Sequence, residues 1–204
     1  MNLSLVYIDD LIVEFERALE GHPTKDGEYC KVPIVYEKTL GQIATLLRDF
    51  RESRNTRILS NLADDFTRKL YSTYLNFLPV DEFSYPLVMH EDDRGSFTEM
   101  VKSPYAGQVS INVSKPGITK GDHWHHTKNE KFLVVSGRGV IRFRDYFSEE
   151  IIEYEVSGEK LEVVDIPTGY THSIVNVGDT DMVTVMWVNE MFDPNHADTF
   201  PLEV

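Results

Sequence analysis

Near residue 82 the spacing of apolar residues changes from helical to alternating, and that change limits what each part of the chain can fold into. Ahead of it, Leu11, Ile12, Phe15 and Leu19 fall on one side of a helix that Asp9 or Asp10 can cap and Gly21 can end. Leu40, Ile43, Leu46, Leu47 and Phe50 repeat at helical spacing, and so do Leu62, Phe66, Leu70, Tyr74 and Leu78 as far as Pro79. Residues 32–35 read as a short extended piece, and the polar stretch 22–27 reads as a connection to a larger body. From Phe83 onward the period is two. Residues 108–113 alternate polar and apolar, and 133–136, 140–144, 161–166 and 182–188 are short β-type runs. Pro116-Gly117, Gly137-Arg138-Gly139, Pro167-Thr168-Gly169 and Gly178-Asp179 punctuate them. The expectation is an α+β chain, with a helical segment at 1–82 and a β-sandwich or barrel at 83–204.

Charge narrows the partners. Lys plus Arg number 20 against 34 Asp plus Glu, a formal net charge of −14, so the surface repels a phosphate backbone and nucleic-acid binding is not expected. A phosphorylated small molecule can still be held by a local cationic pocket. No apolar run reaches the roughly 18 residues of a membrane span, and no basic segment precedes the first apolar stretch as in a secretion signal. Cys30 is the one cysteine and has no internal disulfide partner; the expectation is a reduced, cytoplasmic chain.

The densest chemistry is Gly121-Asp122-His123-Trp124-His125-His126-Thr127-Lys128-Asn129-Glu130. Residues two apart on a strand share a face, so His123 and His125 can address one point while Trp124 turns away. Glu130, after a turn, can return a carboxylate to that point, and His172 follows much later in Pro167-Thr168-Gly169-Tyr170-Thr171-His172. Three imidazoles and a carboxylate suit Zn²⁺, Mn²⁺, Fe²⁺ or Ni²⁺, and ligand softness alone does not choose among them.

The full spacing is Gly117, five residues, His123-x-His125, four residues, Glu130, six residues, Gly137, then Pro167-x-Gly169-x-x-His172-x-x-x-Asn176. It resembles the paired motifs of the cupin superfamily, antiparallel jelly-roll barrels holding one metal. The resemblance implies His123, His125, Glu130 and His172 as ligands of one divalent ion, with Zn²⁺ favoured by three nitrogens and one oxygen. It also implies a homodimer. One departure is visible: the glycine expected before the second motif would fall at Leu161, and the nearest is Gly158.

A second set, Asp93-Arg94-Gly95-x-Phe97-x-Glu99, Gln108-x-x-x-Asn112-x-Ser114 and Lys120-Gly121-x-His123-Trp124, resembles the nucleotide-linked 4-keto-6-deoxyhexose 3,5-epimerases. That likeness implies Arg94, Glu99 and Lys120 as substrate contacts. Those epimerases use no metal and carry lysine where this chain has Glu130, so His123 is expected to bind metal here and not to act as their histidine base. One group combines both sets: bifunctional enzymes of bacterial capsular polysaccharide synthesis, with an extended short-chain dehydrogenase domain followed by a metal-binding cupin. Residues 83–204 resemble that cupin, and 1–82 resemble the end of the dehydrogenase domain, with Val6-Tyr7-Ile8-Asp9-Asp10 as its signature.

The resemblance implies metal-assisted C3 epimerisation of a UDP-linked 4-keto-6-deoxy-N-acetylhexosamine, on the route to UDP-N-acetyl-L-fucosamine. Lys120, Tyr105, Tyr170 and His126 are the acid–base candidates. No Gly-x-x-Gly-x-x-Gly loop and no Tyr-x-x-x-Lys pair is present, so ketone reduction is not expected from this chain, and a separate dehydrogenase subunit is a partner to consider. Two other readings share the ligand set or the fold: an iron-dependent cupin oxygenase, and a non-catalytic module for sugar-nucleotide binding or dimerisation.

Overall fold

The structure, a computed structural model, describes residues 1–204 and separates into two compact units, Met1–Phe83 and Ser84–Val204. No helix is long and apolar enough to cross a membrane.

In the first unit, β1 (Asn2–Leu5) pairs antiparallel with β4 (Tyr36–Thr39), and β2 (Lys25–Asp26) with β3 (Tyr29–Cys30). Three helices accompany them: α1 (Ile8–Leu19), α2 (Leu40–Thr56) and α3 (Asp65–Asn76). Local chemistry sets their starts. The Thr39 hydroxyl accepts from the Gln42 N–H at 3.1 Å while the Gln42 side chain accepts from the Thr39 N–H at 2.8 Å, a reciprocal cap. The Asp64 carboxylate accepts from the Thr67 N–H at 2.8 Å at the start of α3. α1 begins differently from the sequence expectation: Tyr7 is its cap residue, and Asp9 and Asp10 lie inside its first turn, where they favour the positive end of the helix dipole. Asp10 also accepts from Lys69 Nζ at 2.8 Å. The extended piece expected at 32–35 forms four residues later, as β4; Pro33 has no N–H to give a ladder. The core of this unit is small: Phe50 and Phe66 are its buried apolar side chains, and the Tyr71 and Tyr74 rings stand 5.0 and 5.7 Å from that of Phe50. α1 buries none of its residues.

The second unit is a jelly roll of two facing antiparallel sheets. Its strands are β5 (Met89–Asp92), β6 (Gly95–Ser103), β7 (Gly107–Ser114), β8 (Thr119–Trp124), β9 (Glu130–Ser136), β10 (Arg138–Asp145), β11 (Ile151–Ser157), β12 (Val163–Ile166), β13 (Tyr170–Asn176), β14 (Met182–Val188) and β15 (Phe200–Pro201). One sheet runs β12-β9-β14-β7-β6-β5, the other β11-β10-β13-β8-β15. Phe132, Val134 and Met182 from the first meet Ile141, Phe143 and Ile174 from the second, with Val156, Val164 and Ile166 completing the packed core. Phe132 and Ile174 also line a cavity of about 460 Å³, so the core passes directly into the site.

β7 inverts the usual sense of an alternating strand. Its polar residues Gln108, Ser110, Asn112 and Ser114 are the buried set, while Val109, Ile111 and Val113 are half-buried. The polar row is satisfied along the strand, Gln108 donating to the Ser110 hydroxyl at 3.0 Å and Asn112 to that of Ser114 at 3.1 Å.

Candidate metal centre

Three strands and one irregularity assemble the site. β8 and β13 pair with His123 opposite His172, then slip so that Ser173 stands opposite Gly121. Asp122 is the extra residue and takes a left-handed φ of 57°. Gly121 makes the slip feasible: with φ 111°, a side chain there would meet the His172 carbonyl oxygen at 2.7 Å. Beyond the bulge His123 faces inward, His125 follows at the strand end, and Glu130 opens β9.

The donor atoms of His123, His125, Glu130 and His172 all lie within 4.8 Å of one another. His172 Nε2 and His125 Nε2 stand 3.2 and 3.5 Å from Glu130 Oε2. His125, Glu130 and His172 are almost wholly buried. The His125 Nε2, His172 Nε2 and Glu130 Oε2 atoms have no hydrogen-bond partner. Leaving such a group buried and unpaired costs about 1–3 kcal/mol. Converging lone pairs without a donor are the arrangement a divalent cation resolves, and three nitrogens with one oxygen match a four-donor site for a first-row metal.

Electrostatics agree with that chemistry. Burial, reinforced by the neighbouring His172 and His125, pushes the His123 imidazole down to about 4, so near neutrality its lone pair is free. Burial opposes the Glu130 charge, but the two imidazoles and the Lys128 ammonium outweigh it and hold the carboxyl below its ordinary range. Lys128 Nζ is 3.3 Å from Glu130 Oε1, which leaves Oε2 for the centre. His125 Nδ1 contacts the main-chain carbonyl of Asp198. A carbonyl only accepts, so the proton sits on Nδ1 and the Nε2 lone pair points toward Glu130.

Other sequence candidates fall into place unevenly. Lys120 lines the cavity, donating to Asn112 Oδ1 at 2.7 Å and the Val113 carbonyl at 2.9 Å, and burial lowers its pKa. Glu99 also lines it and pairs with Lys102 at 2.8 Å. Arg94 sits in the exposed β5–β6 turn, paired with Asp92 at 2.7 Å and outside the cavity lining. Tyr105 is exposed in the β6–β7 turn, Tyr170 borders a different hollow with Phe143 and Pro167, and the His126 ring lies against Trp124 and Phe200. Of the four acid–base candidates, Lys120 alone lines the cavity that His123, Glu130 and His172 also line.

Sequence reasoning gave no role to Lys128 or to the segment that contributes Glu190, Phe192, Asp193, Asp198 and Thr199 to the cavity wall. The stretch Met186 to Phe192 shares in the family resemblance, but nothing periodic marks residues 193–199. The β7 row was legible as Gln, Ser, Asn and Ser at every second position, but not which side would be buried.

Residues 90–200 match the profile of the family described as the polysaccharide biosynthesis C-terminal domain. A Pseudomonas aeruginosa relative named UDP-2-acetamido-2,6-beta-L-arabino-hexul-4-ose reductase is 42% identical over 202 residues, covering 99% of this chain and 54% of the relative. The crystal structure of the capsular polysaccharide assembling protein CapF from Staphylococcus aureus is 64% identical, with a TM-score of 0.94, over 100% of this chain and 55% of that one. A structure of CapF with the inhibitor 3-isopropenyl-tropolone is also 64% identical, with a TM-score of 0.96, over 100% of this chain and 59% of that one. This chain thus spans little more than half the length of the relatives it matches.

Proposed function

We propose that this chain, which belongs to the polysaccharide biosynthesis C-terminal domain family, carries a metal-assisted C3 epimerase for a UDP-linked 4-keto-6-deoxy-N-acetylhexosamine. The observation that carries the reading is a cluster of four converging donors, three of which, His123, Glu130 and His172, line the same cavity as Lys120. A divalent cation held by His123, His125, Glu130 and His172 would supply Lewis-acid polarisation of the C4 carbonyl. The chain's own groups do the rest. The C3 proton is acidic because its loss leaves charge delocalised onto the adjacent ketone. Lys120, which lines the cavity and whose pKa is lowered by burial, is assigned to take or return that proton. Gln108, Ser110 and Asn112 offer amides and hydroxyls to the sugar on one wall, and Phe132, Ile174 and Met186 exclude water on another. Glu99 completes the polar side of the cavity, and Arg94 stands on the β5–β6 turn as a contact for the nucleotide diphosphate.

Zn²⁺ is the ion this donor set favours. The CapF inhibitor fits a metal reading, because a tropolone presents two adjacent oxygens, the form of ligand that takes two positions on a divalent ion. Residues 1–82 are assigned as the end of an extended short-chain dehydrogenase domain, and 83–204 as the cupin. The exposed apolar side of α1, with Ile8, Ile12, Phe15 and Leu19, supports a larger body packing there in the longer relatives. Reduction of the C4 ketone by a nicotinamide cofactor is assigned to that larger body or to a separate subunit, since this chain has neither the nucleotide loop nor the Tyr-x-x-x-Lys pair. The working unit is a cytoplasmic homodimer.

The test is solvent exchange. Metal-loaded protein in deuterium oxide should replace the C3 proton of the UDP-4-keto sugar, followed by NMR, and should leave the ketone unreduced when NADPH is added. No exchange above background, while a full-length relative exchanges under the same conditions, would leave the sugar-binding module as the reading. Oxygen uptake dependent on Fe²⁺ would favour the oxygenase.

A further inference from the structure

Asp198 touches the site twice. Its main-chain carbonyl meets His125 Nδ1. Its carboxylate accepts from three consecutive backbone N–H groups, those of His126 at 3.0 Å, Thr127 at 2.7 Å and Lys128 at 2.8 Å, and from the Thr127 hydroxyl at 3.2 Å. Those three residues lie between ligand candidates His125 and Glu130. One residue therefore fixes the orientation of one imidazole and the path of the loop that carries the chain to the carboxylate. The third N–H belongs to Lys128, whose ammonium pairs with Glu130 Oε1.

The segment bearing Asp198 is itself held in place. Just beyond it, β15 adds to the edge of β8, with Phe200 opposite Trp124 and Pro201 opposite His123. The Leu202 N–H donates to the Asp122 carbonyl at 3.0 Å, and the Thr171 hydroxyl donates to the Leu202 carbonyl. On its other side, the Phe192 N–H donates to Gln108 Oε1 at 3.2 Å. The carboxylate is the strongest tie between this strap and the 126–128 loop, because an ionised acceptor of several N–H groups is roughly twice as strong as a neutral one.

We infer that Asp198 is a positioning residue for the metal centre: its carboxylate clamps the loop between His125 and Glu130, and the clamp sets its own carbonyl where it fixes the Nδ1–H tautomer of His125. The inference rests on the metal reading of the centre. The Asp198 side chain touches no donor atom, so it acts through His125, Lys128 and the loop backbone. Nothing in the ligand motif includes it, and it comes from a part of the chain with no periodic signal.

The experiment uses the full chain and Zn²⁺ as probe, with wild type, Asp198→Ala and Asp198→Asn. Zn²⁺ affinity is measured by competition with a chromophoric chelator, and the ring-nitrogen tautomers of metal-free protein by long-range ¹H–¹⁵N NMR. Wild type should bind one Zn²⁺ and show His125 in the Nδ1–H form. Asp198→Ala should lose affinity by roughly 10- to 100-fold, the range for removing a group that orients a ligand, and should show His125 as a tautomer mixture. Asp198→Asn, which keeps an acceptor oxygen, should fall between, and it stands in if the alanine variant does not fold. Wild-type affinity in both variants with an unchanged His125 tautomer overturns the inference while leaving the centre intact. Wild type that binds no Zn²⁺ overturns the centre and the inference with it.

Discussion

Lys120 and His123 stand three residues apart on one strand, yet both line the same cavity. A regular strand would place them on opposite faces. The bulge at Asp122 inserts the residue that brings them to one side, and Gly121 lets β8 pass against the His172 backbone. The relation between cation and imidazole is therefore written in backbone conformation. Gly121→Ala should destabilise the fold by about 1–3 kcal/mol, the cost of a residue forced into sparsely populated backbone space, and should lower metal content. Denaturant unfolding with elemental analysis checks it; unchanged values for both would show that β8 tolerates a side chain there.

His172→Ala should remove most of the bound metal and keep the β-sheet signal in circular dichroism. The imidazole is wholly buried and its Nε2 faces Glu130 at 3.2 Å. Metal-to-protein ratio by elemental analysis is the readout, and a ratio equal to wild type would remove His172 from the ligand set.

Lys120→Met keeps the length of the side chain and removes its proton chemistry. C3 exchange should slow by roughly 10²- to 10⁴-fold, the usual contribution of a general acid or base, with metal content unchanged. Exchange within twofold of wild type would assign the proton transfer to another group.

How much of this was legible beforehand differs by the kind of signal. The change of period near residue 82 separated the three long helices from the strands of the jelly roll, because apolar spacing reports which face is covered, but the short strands β1 to β4 left no such signal. The His123-x-His125, Glu130 and His172 cluster was legible because donor type and spacing are themselves the chemistry, and the structure brings those four together. Tyr105, Tyr170 and His126 were candidates by residue type and nearness in sequence, and each lies outside the cavity, because nearness along the chain does not fix which way a strand end turns. The alternation of β7 did not tell which half would be buried; a ligand cavity inside the barrel gives the buried side to its polar residues. Asp198 was invisible because it works through a backbone carbonyl and backbone N–H groups, for which side-chain spacing leaves no trace.

The metal-free protein should lose stability as pH falls from about 6.5 to about 4. In the folded chain His123 is depressed to about 4 from 6.5. Between those values the unfolded chain binds the extra proton and the folded one does not, so acidification favours unfolding. His123→Asn should flatten this part of the profile. Denaturant midpoints collected from pH 7 to pH 4 provide the comparison, and an identical slope in the variant would place the titration elsewhere.

Three of the four converging donors lie close together along the chain, and His172 comes from a strand reached only after β9, β10, β11 and β12 have been laid down. A cation held by all four ties the start of that excursion to its end. Because the unfolded chain does not hold the four donors together, such an ion would stabilise the folded state by binding it in preference to the open loop. Retention of such an ion would then depend on β13 staying docked against β8, so that opening of that one strand pair would expose the site.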